Sequence, residues 1–224
     1  MSGRFSAYYA PELADPLHAA GSAWLGRDAT GAAVGPGPDV DPEVTADARR
    51  YGFHATLKPP MALRPGHAEA DVVAALAEVT AGVPAFELPP LTLDDWQGFL
   101  CLRQASPSVA MQALSDVVVA GLDPLRQPPD GAELSRRRGG GLDPAREANL
   151  RRWGYPDVFA TWTFHITLSR RLDVATMARV RPLAQAWFEP ALAVPRTVAS
   201  VAVFRQPTPD EPFRMSFRTP LATA

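Results

Sequence analysis

The sequence predicts an α+β fold built as a duplicated, two-lobed domain, with antiparallel sheets flanked by helices around a central cleft. Three observations carry this. A short motif occurs twice, as Gly52-Phe53-His54-Ala55-Thr56-Leu57 and Thr163-Phe164-His165-Ile166-Thr167-Leu168, with the histidines 165 − 54 = 111 residues apart in a chain of 224. The similarity continues downstream: Phe86-Glu87 precedes Arg103 and Phe188-Glu189 precedes Arg205, each arginine 17 residues after its phenylalanine. Each half also reads strand, helix, strand, strand, which leaves too few helices to cover both faces of a parallel sheet. Lobes of about 1–105 and 106–224 are expected, with an insertion at about 127–152. The second offset is shorter, 205 − 103 = 102, and extra residues in the proline-rich stretch Lys58 to His67 would account for it.

In chain order, Phe5 to Tyr9 predicts a strand, and Glu12 to Leu25 a helix with Pro16 in its first turns. Glycine and proline make Asp28 to Pro42 a surface loop, from which Arg49-Arg50-Tyr51 leads into the first motif strand. Pro59 and Pro60 are expected to stop that strand. Val72, Val73, Leu76 and Val79 recur at helical spacing within Ala68 to Ala81, and Gly82 and Pro84 end that helix. Phe86 to Leu93 and Gly98 to Arg103 read as strands turning at Asp94-Asp95. Val109 to Gly121 is a helix with Leu114, Val117 and Val118 on its buried side. The insertion, Gln127 to Arg152, carries Pro128-Pro129, the basic run Arg136-Arg137-Arg138 and a helix start at Asp143-Pro144. It suits a substrate-contacting loop or lid. A motif strand at Thr161 to Ser169, a helix from Val174 to Trp187, and strands near Leu192, Val198 to Phe204 and Phe213 to Arg218 complete the chain.

Side chains alternate along a strand, so each motif sets an imidazole and a hydroxyl on one face and apolar packing on the other. His54, Thr56 and Lys58 would share one such face, and His165, Thr167 and Ser169 the other. A twofold relation between the halves would turn these faces towards each other. Hydrolysis of an ester without a metal needs a base for water, an acid for the leaving alkoxide and donors for the oxygens on which charge builds. Two imidazoles with pKa near 6.5 suit the first two roles, and Thr56 and Thr167 the third. The motif leaves open which histidine is which. Lys58 and Tyr155 are further substrate-binding candidates, and Tyr8 and Trp153 could stack on a sugar or base. His18 and His67 lie outside the repeat and read as structural or surface groups; Cys101 reads as a buried small hydrophobe.

The paired motifs resemble those of the two-histidine phosphoesterase superfamily, the LigT-like and cyclic-phosphodiesterase-like proteins, whose signature is two H-x-[ST]-hydrophobic motifs in a duplicated α+β fold. Arg4 to Pro11, Tyr51 to Pro60 and Arg152-Trp153-Gly154-Tyr155-Pro156 resemble a branch often encoded beside phosphonate-degradation genes. The resemblance implies a metal-independent phosphoesterase that needs no cofactor and has His54 and His165 as its catalytic pair. It implies a small cyclic phosphate ester as substrate. RNA ends with 2′,3′-cyclic phosphate or 2′–5′ linkages are the second reading, and non-catalytic binding of a phosphorylated ligand the third.

Composition restricts the alternatives. A formal net charge of −2 argues against holding long duplex nucleic acid by bulk electrostatics. No apolar run approaches the roughly 20 residues needed to span a bilayer. One cysteine allows no internal disulfide, which fits a cytoplasmic protein. No cysteine or carboxylate stands at ligand spacing beside either motif, so a two-histidine metal site is disfavoured.

Overall fold

A computed structural model describes residues 3–223. It is α+β, as the sequence predicts. The elements are β1 (Arg4–Tyr9), α1 (Pro16–Leu25), α2 (Pro42–Tyr51), β2 (Ala55–Ala62), α3 (Glu69–Thr80), β3 (Phe86–Leu88), β4 (Leu91–Trp96), β5 (Phe99–Gln104), α4 (Val109–Leu122), α5 (Gly131–Arg138), α6 (Pro144–Trp153), β6 (Ile166–Arg171), α7 (Val174–Leu192), β7 (Arg196–Val198), β8 (Ser200–Gln206) and β9 (Arg214–Pro220). A seven-stranded antiparallel sheet runs β4-β5-β6-β2-β1-β8-β9, and β3 pairs with β7 in a second, small sheet. The helices bury their apolar sides on the sheet. Leu57, Leu76, Leu102, Leu114, Ile166, Leu168 and Phe188 form a common core. Among the described residues no helix is long and apolar enough to cross a membrane.

The motif strands meet at the centre of the large sheet through one pair, Ala55 with Ile166. These positions differ by 166 − 55 = 111, the same offset as the histidines. In the small sheet Glu87 faces Thr197, a difference of 197 − 87 = 110. A twofold axis between two copies of one unit would produce both central pairs.

The units do not divide where the sequence suggested. In each, a leading strand pairs with the motif strand, β1 with β2 and β5 with β6, while a later strand crosses over to the other unit's leading strand. Thus β4 flanks β5 and β8 flanks β1. The sheet pattern repeats from β5 onward, so the division falls at the β4–β5 turn rather than near residue 105. Phe86 lies in a strand whereas Phe188 lies inside α7, and Arg103 is on β5 whereas Arg205 is on β8. The equal Phe-to-Arg spacing therefore links positions that are not structurally equivalent, and the drop to 102 needs no explanation by extra residues.

Several local expectations are corrected for identifiable reasons. Residues 42–51 form a helix rather than a lead-in, because Asp41 caps it through Glu43 N and Pro42 opens it. Pro16 likewise occupies the first position of α1. Pro59 and Pro60 do not stop β2, which continues to Ala62. Beyond Ala55 no ladder pair joins β2 to β6, so a missing N–H on that side costs little. The β4–β5 turn is at Gln97-Gly98, both with positive φ (55° and 82°), not at Asp94-Asp95. Helix α7 continues through Pro182 to Leu192, so no strand forms there.

Candidate active site

Each histidine sits just before its strand, fixed by a bond to its own backbone. His54 Nδ1 lies 2.9 Å from Gly52 O and His165 Nδ1 lies 2.9 Å from Thr163 O. A carbonyl can only accept, so Nδ1 carries the proton in both rings. Each Nε2 is left with its lone pair. Gly52 has φ of 85°, and this left-handed geometry, open to glycine, turns its carbonyl back towards the ring.

The surroundings of the two rings differ. Tyr8 of β1 stacks on His54 with centroids 3.7 Å apart and planes 23° apart, and Thr56 Oγ1 is 3.2 Å from His54 Nε2. His165 instead meets Trp96 of β4 at 4.7 Å and 53°. Burial pulls His54 down from the usual 6.5 to about 4, against the opposing bond to Gly52, and His165 adds a smaller downward push. Burial also lowers His165; Thr163 O opposes that, Arg103 adds to it, and Asp157 pulls it back up. Both rings are thus neutral near neutral pH when the site is empty. Burial pushes the Tyr8 and Tyr155 hydroxyls upward, so both stay protonated donors.

Two adjoining cavities hold this pair. One, of about 340 Å³, is lined by His54, Thr56, Thr167, Tyr8, Tyr155 and Arg137 among others. The other, of about 390 Å³, contains His165, Trp96 and Asp157 and shares Thr56, Arg137 and Tyr155 with the first. His54, Thr56, Thr167 and Tyr155 are therefore brought together, and His165 opens onto the adjoining space across the same three shared side chains. Ser169 lines the first cavity, but its hydroxyl is occupied: it accepts from Leu100 N and donates to Arg170 O.

Lys58 does not join them. The β2 register slips against β1 between Tyr8–Thr56 and Ala7–Lys58. This bulge turns Lys58 to the core side, opposite Ala7, where its ammonium meets Asp123 Oδ1 at 3.0 Å and Val119 O at 3.2 Å. Strict alternation placed it with His54; the extra residue reverses that. Burial lowers its pKa to about 8, with Asp123 opposing. Trp153 packs tilted against Phe159 at 4.7 Å, away from both histidines' cavities. Cys101 is buried and its thiol is pushed up to about 12. His18 pairs with Asp28 at 2.9 Å, and His67 lies 3.5 Å from Asp71, both structural contacts.

The insertion supplies a residue that sequence reading undervalued. The basic run Arg136-Arg137-Arg138 forms the last turn of α5, and of the three Arg137 points inward. Its guanidinium lies 4.9 Å from the Tyr155 ring centroid and pairs with Glu133 at 2.6 Å. Asp130 caps α5, and the i to i+4 spacing from Glu133 holds Arg137 over the site. The Asp-x-x-Glu start of this helix was the available signal. Among the described residues, no group of three or more His, Cys, Asp or Glu side chains gathers to hold a metal ion.

Comparison with known proteins follows this geometry. The chain belongs to the family described as Protein of unknown function (DUF1045), whose pattern matches residues 56–214. It is 34% identical over 223 residues to a Janthinobacterium sp. (strain Marseille) protein named Ribose 1,5-bisphosphate phosphokinase PhnN, covering 94% of this chain and 49% of the relative. A protein of the same name from Laribacter hongkongensis (strain HLHK9) is 38% identical over 219 residues, covering 95% of this chain and 50% of the relative. The chain thus spans about half the length of these curated relatives. Among solved structures it is similar to E. coli LigT complexed with 3′-AMP, at 14% identity and a TM-score of 0.46 over 99% of both chains. A structure described as a phosphoesterase gives 15% identity and the same TM-score, again over 99% of both.

Proposed function

We propose that this chain is a metal-independent phosphoesterase that opens a small cyclic phosphate ester between His54 and His165. The observation that carries the reading is the matched pair of imidazoles, each with Nδ1 tied to the carbonyl two residues upstream and Nε2 carrying its lone pair beside one shared set of polar side chains, the Thr56 hydroxyl meeting that of His54.

The difference between their surroundings favours one division of roles. His54, held neutral by burial, takes the proton from the attacking water at Nε2. His165, which burial also holds below its usual pKa with Asp157 opposing only in part, binds a proton when the anionic substrate arrives and gives it to the leaving alkoxide. The Tyr155 hydroxyl, Thr56, Thr167 and Arg137 supply donors and charge for the non-bridging oxygens. Water adds to phosphorus, one P–O bond breaks, and the water proton rests on His54 as the His165 proton leaves with the alkoxide.

The relatives' name concerns a ribose phosphate, which favours a ribosyl cyclic phosphate over RNA ends for this chain. A phosphate-loop kinase motif would put glycine before a lysine, and the one lysine here, Lys58, stands between Leu57 and Pro59. The nucleotide-dependent chemistry in that name is therefore not assigned to these residues. We assign the protein no cofactor.

A turnover screen with chelator present, across ribose 1,2-cyclic phosphate esters, 2′,3′-cyclic nucleotides and short RNAs with cyclic ends, tests the proposal. Hydrolysis of one class, abolished in both His54→Ala and His165→Ala, is expected. Tight binding of a phosphorylated ligand with no turnover of any class would instead favour a binding module.

A further inference from the structure

The first cavity extends well past the reacting histidine. On β1, residues 4, 6 and 8 share the face that Tyr8 turns towards His54, and four strand residues span about 13 Å between the Arg4 and Tyr8 backbones. Arg4 therefore closes the far end of the cavity, and it lines the neighbouring cavity of about 450 Å³ as well.

Arg4 differs from the other cations there. Lys58 and Arg126 are both committed to Asp123, at 3.0 and 2.7 Å, and Arg137 to Glu133. Arg4, among the described residues, has no carboxylate within ion-pair reach. Its Nε and one terminal nitrogen donate to the neutral Oε1 of Gln206. Gln206 is itself fixed, donating from Nε2 to Glu211 O at 2.6 Å and sitting almost wholly buried. The guanidinium also lies 5.4 Å from the Phe213 ring centroid. The result, among the described residues, is a pre-positioned guanidinium whose other terminal nitrogen makes no hydrogen bond and which forms no ion pair, Asp47 lining the same cavity without pairing with it. A bound anion would satisfy both.

We propose that Arg4 anchors a second anionic group of the substrate, a phosphomonoester carried on the same small molecule as the cyclic ester. This rests on the phosphoester reading above and narrows it. The ester to be opened lies by His54 and His165, and the phosphomonoester lies towards Arg4, with Arg137 between them. Such a molecule is a sugar bearing phosphate at both ends, rather than a nucleotide whose base would fill the far end.

Two measurements test it. The first compares kcat/KM for ribose 1,2-cyclic phosphate with and without a phosphomonoester on its primary hydroxyl. Preference for the doubly phosphorylated ester is expected, falling about 10- to 100-fold in Arg4→Met, as for loss of a charge-assisted contact, and falling less in Arg4→Lys. The second uses ribose 5-phosphate, which has no cyclic ester, as a calorimetric probe. Arg4→Met should weaken its binding by a similar factor while His165→Ala does not. Equal kcat/KM for the two esters, together with ribose 5-phosphate binding untouched by Arg4→Met, would overturn the anchor and leave the phosphoesterase standing. Arg4-dependent binding without turnover of any cyclic ester would do the reverse. Melting curves check that the Arg4 variants fold, and Arg4→Lys carries the test if Arg4→Met does not.

Discussion

Thr56 and Thr167 hold corresponding places in the two motifs, yet Thr56 faces Tyr8 across its ladder and Thr167 faces Cys101. This one difference sets the two halves of the site apart. The phenol ring packs flat on His54, excludes water from it and leaves Thr56 to bond its Nε2. The small thiol leaves His165 with Trp96 on one side and no bond to Thr167. Burial keeps His54 neutral and lowers His165 as well, but only His165 has a carboxylate, Asp157, opposing that shift. The repeated motif thus places two similarly tethered imidazoles in different surroundings, and in the proposed mechanism that difference would separate base from acid.

The largest test of this contrast removes the rings. His54→Ala and His165→Ala should each lower kcat on the order of 10² to 10⁴-fold with the fold intact, as general acid–base contributions do. Near-normal turnover in either would break the two-histidine mechanism. Arg137→Ala comes next, with a loss of about 10- to 100-fold from removing one charged donor, since the guanidinium sits where both cavities meet. Tyr8→Leu should then cost about 10-fold and raise the pKa seen in the acid limb of the rate profile, because His54 loses its cover. The corresponding Cys101→Ala change should leave that limb in place.

The pH dependence sharpens the assignment further. With the base near 4 and the acid below its usual 6.5 in the free enzyme, kcat/KM should peak between about 4 and 6.5, and kcat should shift upward once the anion is bound. Stability follows the same groups. A histidine whose folded pKa is depressed binds its proton more readily in the unfolded chain. Its contribution is therefore intact above 6.5 and lost as pH falls from there towards 4. Urea titrations should show stability declining across this window, and His54→Gln should flatten the decline. The smallest kinetic effect is expected from Lys58→Met. It should lower Tm by a few degrees through loss of its bond to Asp123, while kcat stays within about threefold. A loss near that of the histidines would return Lys58 to the site.

Much of the site was legible because its signals are local. His54, Thr56, His165 and Thr167 repeat at fixed spacing, and period-two alternation correctly pairs His54 with Thr56, whereas Thr167 lines the His54 cavity rather than that of His165. Lys58 was misplaced by the same rule, since nothing in Thr56-Leu57-Lys58 announces a bulge that only the β1 register creates. Arg137 was undervalued because a run of three arginines looks the same whether one points inward or none does. The helix at residues 42–51 was readable, from an Asp-Pro start like the one recognised at Asp143-Pro144.

By itself, then, the sequence determined the α+β class, the recurrence of the histidine motif and the two candidate histidines. These depend on periodicity and composition along the chain. The tertiary structure decided what requires strands distant in sequence to meet. It set the crossing of β4 and β8 between units, the burial of Lys58 against Asp123, the Tyr8–Cys101 difference beside the two motif threonines, and the guanidiniums of Arg137 and, farther off, Arg4 along the His54 cavity. The reason is physical: alternation fixes which side of its own strand a residue takes, while register and burial decide what stands opposite and how much water remains.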